Sequence, residues 1–535
     1  MSQQQKDVSR LFVSAEETKE PEEVPWNGEI PKWLKGRIYQ TGPGLLDLPN
    51  FTMNDYLDGY AILSKFEIDA LSVKLTKKYP KTESYEKALE KGKPYFMEYG
   101  TTAKREGSKA NIFSKLVTTF SRDDMSDNCS ASIYQCGRHL IASSPTTFFN
   151  RINSETLCSE ERFDAKKYLG QNGYGVHPLV DEETGTMWNM GFTVLPTVKY
   201  NIVKIPGTSS KDMTMDALLS KGSTVASISP RWNGALSFNH SFGMTKNYIV
   251  FIEQPYVVKI SRVLAATIKD YAVKDWLEWR GSDKNRFLII EKSTGKVFST
   301  EYMSADSFFF LHVINCYENE DSQIIVDIAT SKTPSSTGAT TLGKLRSNII
   351  DEVDTSTVER FIIPIIENVK GVPENSNLIP NTRAEATRKG NTIILKPDVI
   401  FSRSAERAVI NAKFIGKKYS FLYASGSFLS VPSADAAMAH SICKINVDTK
   451  EVKTWTASDD HFPGESIFIP RQSEIADEGL KVEEDAGIIV SAISSSNANA
   501  KDFLVILDGE SLKEMARAEF SSQIPTGLHG VFIHK

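Results

Sequence analysis

One short pattern recurs along the chain and constrains its fold more than any other feature. Each copy is a β-rich run, a polar turn that combines Asp, Asn or Glu with Thr or Ser, and a second β-rich run. Turns of this chemistry between two strands predict β-hairpins. The copies lie at Arg151–Phe163, Leu179–Met190, Ile289–Thr300, Lys444–Trp455 and Val505–Phe520. Because no alternation of helices and strands accompanies them, the sequence disfavours a parallel α/β fold.

The spread of these hairpins along the chain predicts an all-β architecture. It is typical of a β-propeller, whose blades are four-stranded meanders. Two or three β-sandwich domains are the alternative, although no linker or break in composition divides the chain. We expect residues 1–23, rich in Gln, Glu and Lys, to form a flexible leader and residues 24–535 to form a single domain. Helical patterns are expected only in insertions, at Met213–Lys221 and Val257–Trp279.

Composition and charge narrow the class of protein. With 40% hydrophobic and 24% charged residues, the 535-residue chain has an ordinary globular composition. A net charge of −5 and the lack of a Lys/Arg stripe argue against nucleic acid as a partner. The five cysteines lack CxxC spacing, which indicates reduced thiols. The polar N-terminus is not a signal peptide, and no run approaches the ~18 apolar residues of a spanning helix. We therefore expect a cytoplasmic protein.

Two stretches that are both basic and apolar leave peripheral membrane contact open. They are Lys109–Phe120 and Val257–Trp279. Each can lie on a membrane surface with its apolar face down and its basic side chains at the headgroups. Each can also pack its apolar face on the rest of the protein, and the residues alone favour neither interpretation decisively.

Four of the eight histidines differ from the others in their surroundings. They lie in apolar, glycine-containing or aromatic segments, where an unpaired polar ring is costly. The remaining histidines adjoin charges or polar turns, or an alanine-rich run in the case of His440. We interpret the four as candidate metal ligands. They are His177 in GYGVHP, His240 in FNHSFG, His312 in FFFLHVIN and His529 in GLHGVF.

The spacing of the four histidines is consistent with a propeller. Successive intervals are 63, 72 and 217 residues, and the last is close to three times 72. One blade of a seven-bladed propeller in a chain of this length would take ~70 residues. The four side chains would then come from inner strands of different blades and meet near the axis.

Imidazole suits Fe, Cu, Zn or Ni. Four of them favour an ion with six coordination positions, of which iron(II) fits best, with two positions left for dioxygen or substrate.

Longer segments resemble the carotenoid cleavage oxygenase family, in particular its animal branch of β-carotene oxygenases and the retinoid isomerohydrolase. The resemblance runs from about Gly28 to Lys535. The segments that carry it include GEIPKWLKGRIYQTGPGL (Gly28–Leu45), LDGYAILSKFEI (Leu57–Ile68), HSFGMTKNYIVFIEQP (His240–Pro255), HVINCYEN (His312–Asn319), FPGESIF (Phe462–Phe468) and the closing GLHGVF.

The resemblance implies a fold and an activity. The fold is a seven-bladed β-propeller with iron(II) on its axis, under a cap of helices and loops that forms an apolar tunnel. The activity is that of a non-haem iron(II) dioxygenase that uses O2 to cleave a C=C bond of a carotenoid or apocarotenoid, such as β-carotene, to retinal or apocarotenals. The polyene would enter from a membrane beside Lys109–Phe120 and Val257–Trp279. The family iron ligands match the four histidines chosen above: His177, His240, His312 and His529.

The resemblance also implies partners for the ligand imidazoles. In the family, glutamates accept the distal N–H groups of three of the four imidazoles. Two of them match Glu406 in SAERAVIN and Glu465 in FPGES, whereas the third position falls on Pro145, which cannot accept this bond. The resemblance further marks Tyr99 and Ser144 as candidates for the substrate pocket; for Tyr99, a structural role in the core is the alternative.

Two other functions stay open at this point. The four histidines would equally serve a retinoid isomerohydrolase that acts on a retinyl ester. The replacement of a glutamate by Pro145 is consistent with a carotenoid- or retinoid-binding protein whose catalysis is weakened.

Overall fold

The computed structural model of the protein describes residues 7–103, 125–194, 196–208, 210, 212–269, 271–426, 436–472 and 483–535. Of the two segments predicted to contact a membrane, Lys109–Phe120 lies outside the described residues.

Strands make up most of the regular structure in the described residues. In the first half of the chain they are β1 (Glu22–Pro25), β2 (Asn27–Gly28), β3 (Gly36–Leu45), β4 (Asp47–Leu48), β5 (Phe51–Thr52), β6 (Tyr60–Ile68), β7 (Ser72–Lys78), β8 (Ser132–Cys136), β9 (His139–Ser143), β10 (Phe148–Ile152), β11 (Ser159–Asp164), β12 (Gly173–Tyr174), β13 (Leu179–Val180), β14 (Met187–Thr193), β15 (Lys199–Ile205), β16 (Ser223–Ile228), β17 (Ala235–Ser237), β18 (Gly243–Met244), β19 (Tyr248–Glu253) and β20 (Tyr256–Lys259). In the second half they are β21 (Leu277–Trp279), β22 (Arg286–Glu291), β23 (Glu301–Ser304), β24 (Phe309–Glu318), β25 (Gln323–Ser331), β26 (Thr357–Pro364), β27 (Glu385–Lys389), β28 (Thr392–Lys396), β29 (Asp398–Phe401), β30 (Glu406–Val409), β31 (Phe421–Ser425), β32 (Ser441–Asn446), β33 (Val452–Thr456), β34 (His461–Pro470), β35 (Gly487–Ser495), β36 (Asp502–Asp508), β37 (Glu514–Phe520) and β38 (His529–His534).

Helices are short and lie between strands. The α-helices are α1 (Glu83–Lys91), α2 (Ala165–Leu169), α3 (Met215–Leu219), α4 (Ile260–Lys269), α5 (Ser335–Gly338) and α6 (Leu342–Arg346). The 3₁₀ helices are Ser9–Phe12, Tyr56–Asp58, Val273–Trp276, Ala412–Phe414 and Ala436–His440. The prediction of a short helix within Met213–Lys221 is confirmed by α3.

Seven sheets of four to six strands form within the described residues. In order of hydrogen-bonded neighbours they are β1-β7-β6-β3-β38, β11-β10-β9-β8, β12-β14-β15-β16 with β13 on β14, β18-β19-β22-β23-β28-β27, β24-β25-β26-β29, β30-β31-β32-β33 and β34-β35-β36-β37-β2. Two smaller sheets, β17-β20-β21 and β4-β5, accompany them.

The predicted hairpins supply neighbouring strands of these sheets. Antiparallel pairs join β10 with β11, β13 with β14, β32 with β33, and β36 with β37. The hairpin at Ile289–Thr300 is less regular. Near its turn, Ile290 and Val297 form an isolated bridge, and β22 pairs with β23 only farther from the turn.

The end strands of successive sheets contact one another around a common centre. β18 contacts β24, β24 contacts β30, β30 contacts β34, β34 contacts β38, and β38 contacts β8. The second and third sheets share a buried apolar core that includes Phe149 from β10 and Val203 from β15. The architecture is a seven-bladed β-propeller, as predicted, and each of the seven larger sheets is one blade.

The ring closes through its last strand. β38 pairs antiparallel with β3, from Gly36 opposite His534 to Thr41 opposite His529. The C-terminal strand therefore completes the blade that the N-terminal strands begin. The described part of the predicted leader also packs on the fold, since Val8, Leu11 and Phe12 are buried in one apolar cluster.

The prediction of one long helix over Val257–Trp279 is wrong. α4 covers only the middle of this stretch, and its two ends are strands β20 and β21, which pair antiparallel. The β-branched residues Val257 and Val258 favour a strand, and they occupy the middle of β20. The helix is thus an insertion in a hairpin. Among the helices of the described residues, none is long and apolar enough to cross a membrane.

Deletion of His529–Lys535 tests the role of the last strand. We expect this truncation to abolish a cooperative thermal unfolding transition and to remove bound metal, because β3 loses one of its two neighbouring strands along six residue pairs. Circular dichroism and metal analysis measure the two effects. Deletion of Lys535 alone, which lies beyond β38, is the control and should unfold like the parent protein. A truncated protein with an unchanged unfolding midpoint would contradict the assignment of β38 as the closing strand.

Candidate metal centre

Four histidines from different parts of the ring meet at its centre. His177 lies in the loop between β12 and β13, and His240 lies between β17 and β18. His312 lies within β24, and His529 is the first residue of β38. One ring nitrogen from each lies within 4.8 Å of those of the other three. The structure thus brings together all four predicted ligands. In the described part of the chain, no other group of three or more His, Cys, Asp or Glu side chains is arranged to hold a metal ion.

The spacing within the cluster suits an ion with adjacent imidazole ligands. The Nε2 atoms of His177 and His240 are 2.8 Å apart. Two nitrogens that each lie about 2.0–2.1 Å from one ion, at a right angle, are about 2.9 Å apart. The same separation also allows one neutral imidazole to donate a hydrogen bond to the other. The ring centroids of His177 and His529 are 4.4 Å apart, so the ring of His529 also lies close to that of His177.

The chemical state of the rings also fits a metal ion. Both ring nitrogens of His312 are buried and have no hydrogen-bond partner among the described residues, which is costly unless another group satisfies them. Burial, followed by the charges of the neighbouring histidines, holds the pKa values of His177 and His240 well below the usual value. Their imidazoles are therefore neutral, as metal ligands must be. Four imidazoles form a donor set that Fe, Cu, Zn or Ni accepts.

A glutamate from the neighbouring blade orients His529. The Nδ1–H of His529 donates to Oε1 of Glu465 over 2.7 Å, which leaves Nε2 with the free lone pair. The other oxygen of Glu465 accepts the backbone N–H of Gly530 over 2.8 Å. The register of β34 against β35 shifts between Pro463 and Ser466, so Glu465 lies in a bulge that directs it away from regular alternation.

The second predicted glutamate faces His312 more loosely. Oε2 of Glu406 is 3.5 Å from Nδ1 of His312, beyond the usual length of a hydrogen bond. The side chain of Glu406 is also 34% exposed, whereas that of Glu465 is 10% exposed. Each predicted glutamate thus faces one of the predicted ligands, and Glu465 makes the stronger contact.

The loop that contains Pro145 supplies no replacement for the third glutamate. Pro145 is exposed in the connection between β9 and β10, where the N–H of Thr146 donates to the carbonyl of Ser144. Within the described residues no carboxylate contacts His177 or His240. Ser144 makes no described contact with the histidines either, so its place in a substrate pocket stays a prediction.

An apolar wall includes residues that precede two of the histidines in the chain. Phe238 precedes His240 by two residues, and Leu311 precedes His312 directly. Both pack in a cluster with Tyr256, Leu277, Phe309 and Tyr99. Tyr99 is thus part of the wall, and its hydroxyl donates to the carbonyl of Thr337 over 3.3 Å. Phe238 and Leu311 were not among the pocket residues predicted from the sequence, although their positions beside the histidines in FNHSFG and FFFLHVIN could have identified them.

The sequence profile of the family described as retinal pigment epithelial membrane protein matches residues 11–534. The mitochondrial carotenoid-cleaving dioxygenase of Mustela putorius furo is 29% identical over 543 residues, which cover 98% of this chain and 96% of that protein. The beta,beta-carotene 15,15'-dioxygenase of Gallus gallus is 31% identical over 528 residues, which cover 97% of this chain and 96% of that protein.

Solved structures confirm the fold. Cobalt-substituted Synechocystis apocarotenoid oxygenase superposes with a TM-score of 0.75 at 18% identity, over 99% of this chain and 100% of that chain. Taken with the matches in sequence, this similarity extends over nearly the whole ring.

The substitution His312→Ala tests the ligand assignment. We expect this variant to lose stoichiometric iron, because one of four converging nitrogens is removed and the other three cannot compensate for it. Metal analysis after gel filtration measures the loss. His534→Ala, at the far end of β38 and outside the cluster, is the matched control and should retain iron. Full iron occupancy in His312→Ala would refute the assignment.

The two glutamates should differ in their effect on metal affinity. We expect Glu465→Gln to weaken metal binding by about 10–100-fold, the usual effect of losing a partner of a ligand imidazole. Glu406→Gln should have the smaller effect, since its 3.5 Å contact with His312 is longer. Competition with a chelator measures both affinities, and the reverse order would contradict the geometry.

Proposed function

Because this chain belongs to the carotenoid cleavage oxygenase family, we propose that it is a non-haem iron(II) dioxygenase that cleaves a C=C bond of a carotenoid or apocarotenoid. The observation that carries the proposal is the cluster of four histidines, together with an apolar wall that includes residues preceding two of them in the chain. The relatives that match over nearly their whole length are named as carotenoid-cleaving enzymes, which supports the same reaction and substrate class here.

Iron(II) is the proposed metal, and its proposed ligands are His177, His240, His312 and His529. When bound, iron(II) supplies the redox chemistry through which dioxygen reacts with a closed-shell polyene. The part of the protein is to hold the four imidazoles in fixed positions. The blades provide this rigidity, because each ligand lies on or beside an inner strand. Glu465 then fixes the orientation of His529 through a hydrogen bond, and Glu406 faces His312 at 3.5 Å.

The apolar wall is the proposed contact surface for the polyene. A conjugated hydrocarbon chain offers no polar groups, so Phe238, Phe309 and Leu311 can bind it only by burial and shape, and they exclude water from its reacting bond. Such contacts discriminate weakly, by ~1–3 kcal/mol per methylene. The cleaved bond is therefore selected by how far the chain slides past the wall, in a tunnel to which Tyr99 also contributes.

Peripheral membrane contact is part of the proposal, since carotenoids partition into lipid. Lys109–Phe120 and Val257–Trp279 are the proposed contact segments of an otherwise cytoplasmic protein. Within the second segment, Val263 and Ala266 of α4 are buried against Val194 and Trp276. One face of the helix is thus fixed to the protein, which would let its other face meet the headgroups.

Incubation of the iron-loaded protein with β-carotene under oxygen tests the proposed reaction. We expect aldehyde products, retinal or apocarotenals, with consumption of O2, measured by chromatography and an oxygen electrode. His312→Ala, carried through the same preparation, is the control and should give no product.

The other outcomes favour the other two functions. Formation of cis-retinol from a retinyl ester without uptake of O2 would identify a retinoid isomerohydrolase. A failure to convert any of a range of polyenes and retinyl esters, despite stoichiometric iron, would leave only a binding protein. Pro145, at the position of the third glutamate, is the residue that would account for that result.

A further inference from the structure

A positively charged residue follows Glu406 directly on the inner strand of the sixth blade. Arg407 has a backbone φ of +50°, which side-chain-bearing residues rarely adopt. The register of β30 against β31 shifts between Glu406 and Val409, so Arg407 lies within a bulge. Such a conformation persists only where surrounding contacts determine it.

The contacts of Arg407 join two blades. Its Nη2 donates to the carbonyl of Gly426 over 2.5 Å and to that of Pro463 over 3.3 Å. Gly426 follows β31 of the same blade, whereas Pro463 belongs to β34 of the next blade. The backbone at Gly426 leaves no room for a side chain, because a Cβ on this residue would come within 1.6 Å of the carbonyl oxygen of Met438.

The carbonyl of Pro463 is a functional point of attachment. Pro463 begins the bulge of β34 that carries Glu465, and Glu465 accepts the Nδ1–H of His529. Arg407 therefore ties the backbone that presents one glutamate to the strand that presents the other, Glu406. A displacement of this bulge would lengthen the 2.7 Å contact between Glu465 and His529.

The charge of Arg407 supports the same role as its hydrogen bonds. Two carboxylates lie near the cluster, and Arg407 is the neighbouring cation that offsets them. Burial lowers the pKa of Arg407 below its usual value, while the charges of Glu465 and Glu406 act in the opposite direction. An arginine stays charged under such conditions.

We propose that Arg407 is a positioning residue of the metal centre, which holds the bulge of β34 so that Glu465 meets His529. The proposal rests on the four histidines being metal ligands, as proposed above. The planar guanidinium of Arg407 allows one nitrogen to donate to two carbonyls from a fixed position, whereas the ammonium of lysine is a compact charge on a flexible chain. Lysine should therefore restore the charge but not the geometry.

Cobalt(II) binding by the metal-free protein tests the proposal without reference to activity. We expect Arg407→Met to weaken cobalt binding by about 10–100-fold, the effect of losing an imidazole partner. We also expect it to shift the visible absorption bands of the bound cobalt, which report ligand geometry. Arg407→Lys should shift the bands in the same direction with a smaller loss of affinity. The matched control is Arg388→Met. Arg388 lies on the outer strand β27 and also donates to two backbone carbonyls, those of Val372 and Gly390.

The double variant Arg407→Met/Glu465→Gln separates positioning from general stability. If Arg407 acts through Glu465, the double variant should bind cobalt about as tightly as Glu465→Gln alone. Losses that add in full, or an Arg407→Met protein with the cobalt spectrum and affinity of the parent, would overturn the proposal. If Arg407→Met does not fold, Arg407→Lys decides: an unshifted spectrum then overturns the proposal. A parent protein that binds no cobalt would instead refute the metal centre itself.

Discussion

The antiparallel pairing of β38 with β3 is the interaction on which both the ring and the candidate metal centre depend. Its six residue pairs join the C-terminal strand to the sheet that the N-terminal strands form, so backbone hydrogen bonds close the ring. His529 is the first residue of β38, and its partner Glu465 belongs to the preceding blade. The centre is therefore complete only when the first and last blades meet. An ion that binds only the closed ring must stabilise that closure in turn.

The electrostatics of the centre follow from its four imidazoles. Four imidazoles donate to an ion without compensating its charge, and the nearby carboxylates of Glu465 and Glu406 compensate part of it through the rings they contact. In the described residues no carboxylate contacts His177 or His240, and Arg407 lies near the two carboxylates, so the protein supplies little net negative charge around the four imidazoles. An ion held by these four imidazoles would keep most of its positive charge.

The sequence predicted the architecture and the four histidines because both leave local patterns. Polar turns between β-rich runs identified hairpins that became neighbouring strands, and apolar surroundings separated His312 from the histidines at polar turns. The error at Val257–Trp279 has the same origin, because a periodic apolar pattern does not show that its two ends pair with each other as β20 and β21. Which glutamate faces which histidine was also beyond sequence reasoning, since this depends on the contacts between blades.

Bulges explain why the sequence does not predict the contacts between the glutamates and the histidines. A regular strand directs successive side chains to the two faces of its sheet, and in a propeller both faces pack against neighbouring blades. Pointing a side chain at the axis requires a break in this alternation. Breaks occur on three inner strands at the residues of the site: at His312 on β24, at Glu406 and Arg407 on β30, and at Glu465 on β34. An inserted residue has no sequence signature of its own. The local irregularities of the strands, more than their pairing, thus give the ring its chemistry.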